Sequence, residues 1–76
     1  MTGHLLIADI GRTLYGPRWQ SELARVLGVN IRTAQRWAAG DNTPPPGVYA
    51  DLAKIAGERR ISIGTLLPRL KEASQP

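Results

Sequence analysis

Apolar residues recur at helical spacing along most of the chain, and no stretch alternates in the two-residue rhythm of a strand. Leu6, Ile7, Ile10 and Leu14 predict a first helix over 4–15, which Gly16-Pro17 breaks. Pro17 suits the first turn of a second helix, where a backbone N–H has no partner to lose. Trp19, Leu23, Ala24 and Leu27 give that helix an apolar stripe over 17–27, and Gly28 is its C-terminal stop. Asn30 has the side chain of an N-cap, so a third helix is expected over 31–39, ending at Gly40. The stretch "DNTPPPG", 41–47, reads as a stiff connector rather than a proline-rich ligand. Val48, Leu52 and Ile55, with Tyr49, Ala53 and Ala56 beside them, predict a fourth helix over 47–58. Ser62 can cap a fifth over 63–72, carrying Ile63, Leu66, Leu67 and Leu70. Pro68 should kink or split it, because proline withdraws the hydrogen bond to the Gly64 carbonyl. Residues 73–76 read as a frayed tail. The expectation is an all-α bundle of five helices in a single domain, residues 1–76.

Composition narrows the classes open to such a bundle. Seventy-six residues bury one small core, and the absence of cysteine excludes a disulfide scaffold and a thiolate metal site. The apolar run Leu5 to Ala8 is too short for a signal sequence, and no stretch approaches the length of a membrane span. A soluble cytoplasmic protein that does not engage a membrane is therefore expected. The net charge is +4, and its distribution says more than its size. Residues 1–40 hold five cations, all arginine, against Asp9 and Glu22. Arginine is the residue suited to forked contacts with phosphate or a guanine edge, so an anionic partner such as nucleic acid is favoured.

Residues 20–40, "QSELARVLGVNIRTAQRWAAG", meet the steric demands of two helices crossing steeply at a tight turn. Ala24 is the small residue required where the helices cross, and Gly28 tolerates the positive φ of the turn. Leu23, Leu27, Val29, Ala34 and Trp37 stand at the offsets that point into the junction. With these elements in register, the stretch resembles the helix-turn-helix of the lambda repressor and Cro family, also called the XRE family. Gln20, Leu23-Ala24, Gly28-Val29, Asn30, Trp37 and Gly40 carry the resemblance. "LAKIA" and "ISIGTLL" extend it to the family's fourth and fifth helices, so it covers about residues 5–70. Two departures stand out: Ala38 replaces the usual glutamate after the tryptophan, and the prolines lengthen the following loop. The first helix also begins too near residue 1 to leave a DNA-wrapping arm.

The resemblance implies a lambda-repressor-like fold and a transcriptional regulator that binds double-stranded DNA as a homodimer on a pseudo-palindromic operator. With Ala34 and Trp37 inward, Ile31, Arg32, Gln35 and Arg36 point away from the core, with Thr33 at the edge. Arginine can donate two bonds to guanine, glutamine can pair with adenine, and isoleucine can meet a thymine methyl. Ile31, Arg32, Thr33 and Arg36 match the family's base-reading positions, with Gln35 beside them. Gln20 matches a phosphate contact, and Arg18, Asn30, Asn42 and Thr43 are further candidates for the DNA backbone. The pair Arg59-Arg60 reads as a short basic loop, with a remote phosphate contact as the less favoured alternative, and Arg25 as a solvent-facing cation. No paired acid and histidine, phosphate loop or metal-ligand cluster points to catalysis, a metal or a cofactor. The competing expectation is an antitoxin-like protein–protein module on the same fold, which the basic face of the third helix argues against.

Overall fold

A computed structural model describes residues 3–76, with side chains from Leu6 onward. The expected lack of an arm before the first helix concerns residues outside that range. The predicted stripes condense into one cluster drawn from four helices: α1 (Gly3–Tyr15), α2 (Trp19–Leu27), α3 (Ile31–Ala39) and α4 (Pro46–Ala73). No strand occurs among the described residues. Ile7 and Ala8 of α1, Trp19, Leu23 and Ala24 of α2, Ala34 and Trp37 of α3, and Leu52 of α4 form the buried core. Helices α1, α2 and α3 pack on one another pairwise. Val48, Tyr49 and Ile55 of α4 join Leu52 as half-buried neighbours of that core.

The buried face of α1 is rotated from the one its large residues suggest. Leu6 is exposed, while Ala8 and Gly11 are buried with Ile7. The cause is Trp19, whose ring occupies the space that a side chain at position 11 would need. Glycine at that position lets the indole lie against the α1 backbone. Pro17, expected in the first turn of α2, lies instead in the turn before it, and Arg18 holds the N-cap position.

The prolines of the connector divide three tasks. Pro44 is buried. Pro45, at φ −60° and ψ 153°, is the extended N-cap of α4. Pro46 is its first residue, where a missing N–H costs nothing. The Pro45 carbonyl accepts from the Val48 amide at 3.0 Å, closing the first turn.

The fourth and fifth helices expected from sequence are one helix. Nothing in residues 57–62 stops it. Gly57 is right-handed, in contrast to Gly16, Gly28 and Gly40, which have positive φ. Ser62 does not cap; its carbonyl accepts from Thr65 Oγ at 2.8 Å inside the continuing helix. Pro68 lies within the helix rather than ending it. Residues 64–68 are all exposed, so water can reach the carbonyl that loses its partner. A 28-residue helix is about 42 Å long, and α4 gives the protein its 51 Å long dimension.

Arg59, expected in a loop, sits on α4 and ties it to α1. Its Nη1 donates to the Leu14 carbonyl at 2.5 Å, in the last turn of α1. Its guanidinium carbon stands 5.4 Å from the centre of the Tyr15 ring, within cation–π range. A cation at a helix C-terminus also meets the negative end of the helix dipole.

Gly11→Ala tests the α1–α2 contact. Alanine would gain about 0.5–1 kcal/mol of helix propensity, but must displace the Trp19 ring, an overpacking cost of typically 1–3 kcal/mol. Urea unfolding should show net destabilisation; a variant as stable as the parent would refute the close approach.

Candidate nucleic-acid interface

The turn between α2 and α3 is built by backbone hydrogen bonds that glycine permits. Gly28, at φ 70°, donates to the Arg25 carbonyl at 3.3 Å, and Val29 donates to Ala24 at 3.0 Å. This pair is a Schellman cap. It turns Val29, half-buried, against the core. Asn30 then caps α3: its Oδ1 accepts from the Arg32 amide at 2.8 Å, and its carbonyl accepts from the Thr33 amide at 2.9 Å. Gly40 closes α3 as Gly28 closes α2, with bonds from Gly40 to Trp37 and from Asp41 to Arg36.

Burial of Ala34 and Trp37 sets the rotation of α3 between these caps. Arg32, Gln35 and Arg36 are exposed on the opposite side. Together with Ala39 and Asp41 they line an open concavity of about 460 Å³. Ile31 is exposed and Thr33 half-buried in the first turn of the same helix. Neither Arg32 nor Arg36 forms an ion pair among the described residues, so both guanidinium groups are available to an external anion. Such a surface, two forked donors flanking an amide on one helix face, suits the hydrogen-bonding edges of bases or phosphate oxygens.

The expected backbone-contacting residues stand elsewhere. Arg18 is exposed at the N-cap of α2, where it makes no capping bond, and Gln20 is half-buried in the first turn. The first-turn amides of α2 therefore have no side-chain cap. Asn42 and Thr43 are exposed just after α3. Asn30 spends its oxygen on the cap and retains its amide nitrogen as a donor. None of these five lines the α3 concavity.

Ala39 and Asp41 were not anticipated from sequence as part of this surface. Asp41 could have been found from Gly40: a left-handed cap reverses the chain and returns the next residue beside the last helical turn. Its carboxylate places one negative group at the edge of a face otherwise cationic. On α2, Arg25 is held at 2.7 Å by Glu22, both side chains largely exposed. Hydrogen bonding and charge from Arg25 keep the Glu22 carboxyl below its usual range, and the same pair raises Arg25. The contact therefore holds down through the ordinary carboxylate range and is lost only as pH falls below it, through the lowered Glu22 value, but a screened surface pair of this kind adds little stability.

The Asn30 cap gives a direct test of how α3 is held. Asn30→Ala should cost about 1 kcal/mol of stability in thermal or urea unfolding, and Asn30→Gly only a few tenths; equal losses would show that the side-chain oxygen is not the cap. Compared with known proteins, the chain matches no family model, no curated protein and no solved structure.

Proposed function

We propose that this chain is a sequence-specific double-stranded DNA-binding transcriptional regulator of the lambda repressor and Cro type, in which α2 and α3 act as a helix-turn-helix. The observation that carries this reading is the division of α3 into a buried face, Ala34 and Trp37, and an open face bearing Arg32, Gln35 and Arg36. A helix held only for packing has no use for two unpaired arginines one turn apart. In the proposed complex α3 enters the major groove and α2 lies across the DNA backbone. Arg32 and Arg36 choose bases, with Gln35, Ile31 and Thr33 beside them. Arg18, Gln20, Asn30, Asn42 and Thr43 hold phosphates and supply salt-dependent affinity and register.

One such domain covers little DNA, so two copies on a pseudo-palindromic operator are proposed, with reading helices about 34 Å apart. Regulation then follows from occupancy: a bound dimer blocks or recruits polymerase at the promoter. No helix among the described residues is long and apolar enough to cross a membrane.

Selection of binding sites from a random duplex pool tests the reading. A selected motif with two-fold symmetry is expected, bound more weakly as salt rises. On that motif Arg32→Ala or Arg36→Ala should each cost about 1–3 kcal/mol and relax preference at one base pair. Gln20→Ala should weaken all sequences alike. No enrichment above random duplex, with tight capture of an acidic protein instead, would replace this reading with a protein-binding one.

A further inference from the structure

The seam between α1 and α4 is not fully closed. Three hollows of about 550, 230 and 290 Å³ follow one another along it. The first and second share Leu14 and Ala56, and the second and third share Ile10 and Ala56, so they form one continuous trough. Its α4 wall runs from Leu67 through Ile63 and Ala56 to Tyr49, residues that fall within about 40° of one another around the helix axis. Its α1 wall is formed by the half-buried Ile10 and Leu14. Gly64 also lines the wide end, and a β-carbon there would meet nothing within 4 Å, so the space beside it is open. Charge is placed unevenly along this trough. Arg59 and Arg60 stand at the wide end, and no acid lines that hollow. Arg59 is already engaged by the Leu14 carbonyl and the Tyr15 ring. Arg60 is exposed and makes no ion pair among the described residues. Asp9 lines only the narrower second hollow. A ligand lying in the trough therefore meets a cation at one end and hydrocarbon along most of the rest.

We propose that the trough binds an unbranched aliphatic carboxylate of about ten to fourteen carbons, its carboxylate on Arg60 and its chain laid towards Ile10 and Tyr49. The lengths agree. Along α4, Ala53 and Tyr49 are about 10 and 16 Å from Arg60, and an extended twelve-carbon chain with C–C bonds of about 1.5 Å spans about 14 Å. The forked donors of a guanidinium match the two oxygens of a carboxylate. The volume of the wide end, about 550 Å³, lies within the usual range of small-molecule sites. Bulkier occupants fit less well. A helix with its side chains is about 10–12 Å across, so the wide end admits only about one turn of it. A flat bilayer would reach the exposed Leu66 and Leu70 but not the recessed Ile10 and Leu14. The trough shares no residue with the α3 concavity, so the proposal does not depend on the DNA reading.

Isothermal titration of the full chain with decanoate, kept below its micelle concentration, tests the proposal. One saturable site is expected, with a dissociation constant of about 10–100 μM. From octanoate through decanoate to laurate, each added methylene should tighten binding about three- to fourfold. Arg60→Ala should weaken decanoate about tenfold and leave decanol, the same chain without the charge, unchanged. Gly64→Leu should abolish binding of both, because its side chain enters the open space beside position 64. Leucine is also the better helix former, so circular dichroism and thermal melting should show the fold retained. Amide chemical shifts of the unaltered protein should move at Leu14, Ala56, Ile63 and Gly64 as decanoate is added. The Arg60→Ala comparison decides the matter even where Gly64→Leu fails to fold. No saturable binding, equal decanoate affinity in Arg60→Ala and the parent, shifts confined to Leu66 and Leu70, or binding to phosphatidylglycerol vesicles but not to free decanoate would each overturn the proposal.

Discussion

Ala34 and Trp37 stand three residues apart on α3, and both are buried in a cluster that includes Leu23 and Ala24 of α2. That burial is the constraint on which the outer surface depends. A nine-residue helix is too short to be stable alone, so its position and rotation are dictated by what it packs against. With an indole and a methyl locked inward, rotation of α3 would expose Trp37 and bury an arginine, and both changes are unfavourable. The caps at Asn30 and Gly40 fix its length. The open face with Arg32, Gln35 and Arg36 is thus a consequence of core packing, and a change at Trp37 would disturb that face without touching it.

The parts legible in the sequence are those decided locally. The bounds of α3 match the expectation because Asn30 and Gly40 act through bonds to residues at most five positions away. Gly28 was legible for the same reason. The rotation of α1 was not, because it depends on Trp19 arriving against Gly11 from another helix. The role of Arg59 was hidden more deeply: its partner Leu14 is 45 residues away, and a basic pair after Gly57-Glu58 resembles a loop until the helix is seen to run through it. Among the candidate DNA contacts, sequence reasoning placed Arg32, Gln35 and Arg36 on one open face. The carboxylate of Asp41 at the edge of that face needed the geometry of the Gly40 cap.

The union of the expected fourth and fifth helices shows how weak stop signals act without tertiary support for a break. Ser62 and Pro68 each favour a boundary. Yet a break also needs a residue able to reverse the chain and a surface for the second segment to fold onto. The three left-handed glycines all lie in the first forty residues, where each ends a helix. Gly57 and Gly64 remain helical, and the carbonyl that Pro68 leaves unpaired can be hydrated. Continuing the helix therefore costs one hydrogen bond, whereas a break at Gly57, which could reverse the chain, would leave the second segment with no surface to fold onto.

That continuity gives α4 two roles that a five-helix arrangement would separate. Its first part closes the core through Leu52, and Arg59 fastens it to the end of α1. Through Gly11 and Trp19, α1 is in turn fixed to α2, and α2 carries α3. A chain of close contacts thus runs from Arg59 of α4 through α1 and α2 to the buried face of α3. Loosening Arg59 would therefore free α4 from the end of α1 while leaving Arg32 and Arg36 on their own face of α3.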